Sequence, residues 1–179
     1  MSMNQADVRV MQAMVDTMVG IPKFSYPARE NGAPKPAGEF AHIRLLEEYQ
    51  VGIPNQQILA QDTNTTTYRI ISPARLRFRI GVIDSSGIAA FKIMHGWTSE
   101  VMKELMKSSG YGFISCHPLS NEDAKLEKEW EYRSGFAVEM YCTRVLDETV
   151  NNITSMVING AFSNSHIEEI LLTYEINEI

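Results

Sequence analysis

From Trp130 to Cys142 the large apolar residues keep to even positions: Trp130, Tyr132, Phe136, Val138, Met140 and Cys142. Successive side chains of a strand point to opposite faces, so this period predicts a long strand over 129–145 with its even face in a core. Gly135, which packs nothing, predicts a bulge or bend within it. The stretch "ARLRFRIGVI" (74–83) has the same period, with Leu76, Phe78, Ile80 and Val82 on one face and Arg75, Arg77 and Arg79 on the other. Elsewhere the period is helical. Val8, Met11, Val15 and Met18 predict a helix from a cap at Asn4 to a stop at Gly20 and Pro22. Ile88, Phe91, Met94, Val101 and Leu105 predict a second, apolar on that face, from about Ile88 to Ser108 behind a cap at Ser85 or Ser86. Gly96 weakens its middle, while Glu100 and Glu104 support it through Lys103 and Lys107.

Phe40, Ile43 and Leu45 in "EFAHIRLLEEY" (39–49) predict the first strand. In the excursion 50–73, "NQQILAQ" and "TTYRIIS" flank the polar tip "DTNTT", which predicts a projecting β-hairpin. Pro73 predicts a kink or strand start. Residues 22–38 hold four prolines and two glycines, too many breakers for helix or ladder. They predict an extended arm, either a surface loop or a segment lying on another subunit. "YGFISCHP" (111–118) reads as a short strand, "LSNEDAKLEKE" (119–129) as a polar connection with one helical turn, and "ITSMVIN" and "EEILLTYEI" as two closing strands. The expected fold is α+β: residues 1–179 form a single domain, an antiparallel sheet with two main helices packed on one side, plus the arm and the hairpin.

Composition narrows the function. Acids outnumber bases 22 to 16, for a formal charge of -6, so no general basic surface exists to hold a duplex by its phosphates. Apolar runs are broken well short of the ~20 residues a membrane helix needs. The N-terminal "MSMNQADVRVM" lacks a signal-peptide pattern and points to synthesis in a cytoplasm. Cys116 and Cys142 form no spaced cluster and read as buried thiols; His42, His95, His117 and His166 are scattered, without HExxH. "GYG" (110–112) lacks the rest of any phosphate-loop or dinucleotide fingerprint and reads as a helix stop. Glu127, Glu129 and Glu131 read as a solvated strand face rather than paired catalytic acids, and Trp97 and Trp130 as core. No catalytic residue, cofactor or metal is expected.

The arginine stripe leaves three readings open. If strand 129–145 pairs antiparallel with 74–83, Arg75, Arg77 and Arg79 share a face with Glu129, Glu131 and Glu139, and cross-strand pairs set the register. Alternatively the stripe lies at a subunit boundary and grips carboxylates of the next chain. The third reading, a phosphate ligand, lacks an accompanying glycine-rich loop.

Segment order adds a further expectation. "DVRVMQAMVDTMVGIP", "AFKIMHGWTSEVMKELM", "GYGFISCHPLSNEDA" and "EWEYRSGFAVEMYCTRVLDETVNNITSMVING" together resemble the neck or tail terminator proteins of tailed bacteriophages. The last segment carries the likeness best, through Trp130, Glu131, Arg133, Asp147, Ile153, Val157, Ile158 and Gly160. The resemblance implies a virion protein of the neck or tail junction, a homo-oligomeric ring usually of six copies, without a cofactor. Its partners would be itself, the tail tube protein, and the head-tail connector or collar, with the sheath as a further neighbour; viral DNA would pass through non-specifically, and no membrane is involved. The rival readings are another tail component, such as a tube or baseplate protein, and a small-ligand-binding module or enzyme.

Overall fold

The computed structural model describes residues 3–28, 38–83, 86–119, 124–126, 129–131, 133–152, 157–164 and 167–175, with the strands at 124–126, 129–131, 157–164 and 167–175 described as backbone. In chain order the elements are α1 (Met3–Val19), β1 (Ser25–Pro27), β2 (Phe40–Gln50), β3 (Asn55–Gln61), β4 (Thr65–Ile83), α2 (Ile88–His95), α3 (Glu100–Ser109), β5 (Tyr111–Pro118), β6 (Ala124–Leu126), β7 (Glu129–Glu131), β8 (Arg133–Asn151), β9 (Val157–Asn164) and β10 (Ile167–Glu175). The chain divides into two compact units, the first made of Met1–Ile53 and Ser72–Arg144, the second of Pro54–Ile71 and Val145–Ile179. The class is α+β, with three helices and a mixed six-stranded sheet.

The first unit holds the core. Its strands lie in the order β1-β2-β4-β8-β5. Leu76, Phe78, Ile80 and Val82 of β4 and Phe136, Val138, Met140 and Cys142 of β8 are buried with Met11, Met14 and Val15 of α1, Ile93 of α2 and Met102 of α3. The period-two pattern therefore located this face of the sheet correctly. α1 starts at Met3, so Asn4 lies inside it rather than capping it. At its other end the Asp16 carboxylate accepts hydrogen bonds from Lys23 N at 2.9 Å, Ser25 N at 2.8 Å and Ser25 Oγ at 2.7 Å. Those bonds turn the chain onto β2, where Ser25, Tyr26 and Pro27 pair in parallel with Ala41, His42 and Ile43. This corrects two expectations: the sheet is not wholly antiparallel, and the proline-rich stretch contains a strand. Proline ends that strand, and a side chain rather than a long ladder holds it. Residues 29–37 of the expected arm lie outside the described residues.

The second expected helix is two helices. Gly96–Thr98 form a 3₁₀ turn, and Ser99 in extended conformation starts α3 by accepting from Met102 N. A Cβ at Gly96 would lie 2.8 Å from Met18 Sδ, so the bare backbone is what lets α1 pass so close. The break resets the helical phase. Ala89, Ile93, Trp97, Met102 and Met106 are buried, whereas Ile88, Phe91 and Val101, expected in the core, are exposed. Gly110, left-handed at φ 77°, ends α3 with its N–H on the carbonyls of Lys107 and Met106.

Three further corrections concern strands. β8 begins at Arg133 and runs to Asn151, whereas Glu129–Glu131 belong to a separate two-stranded sheet with Ala124–Leu126, where a helical turn was expected. β4 runs unbroken through Pro73, because its partner changes there: β3 pairs up to Ile71 and β2 from Ala74, so the missing N–H falls where no ladder bond is needed. Pro73 still contributes its carbonyl, which accepts from Val51 N at 2.9 Å.

The second unit comprises hairpin β3-β4, the distal part of β8, and the antiparallel pair β9-β10. In the turn, Asp62 Oδ1 accepts from Asn64 N at 2.8 Å and Thr65 N at 2.7 Å. Those backbone hydrogen bonds, Thr65 first, hold the Asp62 carboxyl below its ordinary range. Across β4 and β8, Thr66 meets Asn152, Thr67 meets Thr149 and Arg69 meets Asp147. One number rises as the other falls, so the two strands are antiparallel.

Candidate assembly surfaces

The face of β4 opposite the core carries the arginine stripe. Arg75 Nη2 donates to Glu139 Oε2 of β8, and Ser115 Oγ donates to the same oxygen at 3.3 Å. The hydrogen bond from Arg75 holds the Glu139 carboxyl below its ordinary range despite partial burial, and in return raises the guanidinium. The Arg75 guanidinium also lies 5.6 Å from the Tyr49 ring centroid. Arg77 Nη1 stands 3.8 Å from Glu47 Oε2 of β2, and Arg79 lies across from Arg44 in the β2-β4 register. Glu47 was not singled out from sequence, because the register shift between Leu45 and Glu47 moves it onto this face against simple parity. Of the six residues marked from sequence, the structure pairs Arg75 with Glu139 and gives Arg77 a partner on the other neighbouring strand. Glu129 and Glu131 lie on β7, which pairs with β6.

A second polar cluster sits on the core side of the sheet. Asp7 of α1 is 1% exposed. It accepts from Arg144 Nη1 at 3.0 Å and Nη2 at 2.7 Å, and from the Tyr111 hydroxyl, while Arg144 Nε donates to Glu48 Oε1 at 2.7 Å. The bonds to Asp7 raise the Arg144 guanidinium, and burial followed by the bond to Asp7 raises the Tyr111 phenol. The cluster fastens α1 to β2, β5 and β8. Its sequence signal was weak, an acid in the first turns of a helix and an arginine at an even, core-facing position.

In the second unit β3, β4 and β8 make a ribbon with unlike faces. One face carries polar pairs beside the exposed Val145: Arg69 holds Asp147 through two hydrogen bonds of 2.8 Å, and Thr67 meets Thr149 at 2.9 Å. Arg69 thereby holds the Asp147 carboxyl below its ordinary range. The other face carries Ile58 opposite Tyr68, with Ile70, Leu146, Glu148 and Val150 on the same side of their strands. Ile58 is 61% exposed and Leu146 57%. Sequence reading ended strand 129–145 too early to include Leu146 and Val150, although the even-position alternation continues through both.

The first unit has an exposed apolar surface too. Between α1, α2 and α3 lies a groove of about 420 Å³ whose lining includes Met18, Phe91, Lys92, His95, Gly96 and Val101. Phe91 stacks obliquely on His95, with ring centroids 4.6 Å apart, and is 66% exposed. Lys92 Nζ donates to Val19 O at 2.7 Å, a cation placed at the C-terminus of α1.

Burial pushes the Cys116 and Cys142 thiols up, away from the nucleophilic thiolate; Cys142 is buried as expected, Cys116 only half-buried. Among the described residues no group of three His, Cys, Asp or Glu side chains could hold a metal ion. A family model described as phage neck terminator protein matches residues 8–165, across parts of both units. The chain belongs to the phage neck terminator family. A neck terminator is a structural component of the phage neck and hence of the virion, associated with other head or tail proteins. No curated protein matches this neck terminator chain in sequence. Among its described residues no helix is long and apolar enough to cross a membrane.

Proposed function

We propose that the protein closes into a ring of identical copies, six in number, which caps the completed tail tube and joins it to the head connector while leaving a passage for DNA. The family match over residues 8–165 carries this reading. The mechanism is geometric: one face of a symmetric ring complements the last tube ring and the other complements the connector, with no bond made or broken. Residues 1–179 act together as one terminator domain, with hairpin 50–73 reaching neighbouring parts. The formal charge of -6 suits a conduit, since a basic wall would retain passing phosphates.

Sedimentation of the purified chain should give one closed species, and particles assembled without it should show heads and tails unjoined. Long stacks in place of a single ring would identify a tube protein instead. A strict monomer that particles can dispense with would sink the proposal.

A further inference from the structure

We propose that the apolar face of the β3-β4-β8 ribbon of one copy seats in the α1-α2-α3 groove of the next, with Glu148 meeting Lys92. This interface rests on the ring reading above and names the surfaces that would close the ring.

Exposure comes first. Ile58, Leu146 and Val150 stand in solvent on one side of the ribbon, and Phe91 and Val101 stand in solvent at the groove. The ribbon's opposite face already satisfies its polar groups internally through Arg69, Asp147, Thr67 and Thr149. Contiguous apolar surface of this kind on a soluble chain marks an interaction site, and a thin sheet needs a covering layer to hold its form.

The two surfaces also differ in kind. One is a strip on a sheet and the other a groove among helices. A contact between unlike patches is heterologous and, repeated by a closing rotation, builds a ring; a self-matching patch would stop at a dimer.

Charge then selects the seat. Glu148 lies between Leu146 and Val150 on their side of β8, so a carboxylate sits within the apolar strip. Lys92 is the lysine of the groove lining, with His95 beside it. Nearby Glu100 is already engaged with Lys103 at 2.7 Å. Lys92 spends one donor on Val19 O and keeps two for a partner. Strip against strip would oppose Glu148 to Glu148, and groove against groove would oppose Lys92 to Lys92. Strip in groove pairs them.

Sedimentation of wild type, Leu146→Lys and Phe91→Glu tests the interface. Both substitutions fall on exposed side chains, so each variant should keep the wild-type circular dichroism spectrum while dropping from ring to monomer. An equimolar mixture of the two retains one intact strip and one intact groove per pair and should stop at a dimer. Glu148→Lys should weaken the ring, and adding Lys92→Glu to the same chain should restore it. Rings that persist in either single variant, or a mixture that forms full rings or no dimer, overturn the interface; persistent rings that no longer cap tubes give the strip to the tube protein instead. A wild-type monomer overturns the ring reading itself. Should a variant melt early, mixed Glu148→Cys and Lys92→Cys chains treated with a short bis-maleimide, which spans the reach of a Lys–Glu pair, give a readout independent of folding: a cross-linked dimer is expected, and its absence where wild-type rings form overturns the pairing.

Discussion

The two units use the same strands differently. Along β4, even positions from Leu76 to Val82 vanish beneath three helices, whereas Tyr68 and Ile70 farther back are only half-buried. Along β8, Phe136 to Cys142 are buried and Leu146 and Val150 are exposed. Of the residues whose side chains are described, every buried apolar one belongs to the first unit, and the second contributes only Thr66 to the buried set. Alternation in a sequence thus marks a strand with two unlike faces without saying whether anything covers the apolar one. Among the residues whose side chains are described, burial energy should therefore concentrate in the first unit.

The largest test of that contrast is Phe78→Ala, which empties a fully buried site and should cost about 3–5 kcal/mol in denaturant unfolding. Ile58→Ala in the ribbon should stay within about 0.5 kcal/mol for an isolated copy; equal losses would erase the distinction. Next comes Asp7→Ala, which strips the inaccessible carboxylate from Arg144 and should cost about 3 kcal/mol, with Glu48 limiting the damage. Thr66→Val removes the 2.6 Å bond to Asn152 and should cost about 1 kcal/mol.

The smallest effect is on pH. Glu139 has its carboxyl lowered by Arg75, so its contribution is complete above the ordinary carboxylate range and is lost as pH falls through the folded value. The stability gap between wild type and Glu139→Gln should hold constant above the ordinary carboxylate range and close as pH falls below it. A gap that widens in acid would reverse the assignment. Asp62 and Asp147 shift in the same direction, so the second unit should also loosen in acid.

Much of the fold was legible where period and length agreed: α1, β2, the β3-β4 hairpin, β5, and the even face of β8 all follow from residue spacing. Elsewhere a single residue defeated the pattern. At Gly96 a close crossing by Met18 broke one helix into two and exposed Phe91 and Val101, which a straight helix would have buried. Near Leu45 an irregular register carried Glu47 to Arg77, and spacing alone had proposed Glu129 and Glu131 for that role. β1 escaped notice because its support comes from Asp16, nine residues before Ser25, rather than from its own composition. The exposed apolar faces were hardest to read, since exposure depends on which layer covers a face, and no residue type records that.

The unbroken course of β4 through Pro73 also has a mechanical meaning. β4 and β8 each run 19 residues and extend from the second unit into the sheet of the first. A pull along such strands loads their cross-links in shear, many at once, instead of peeling them one by one. A ribbon anchored in that way should resist force along its strands better than force applied across them.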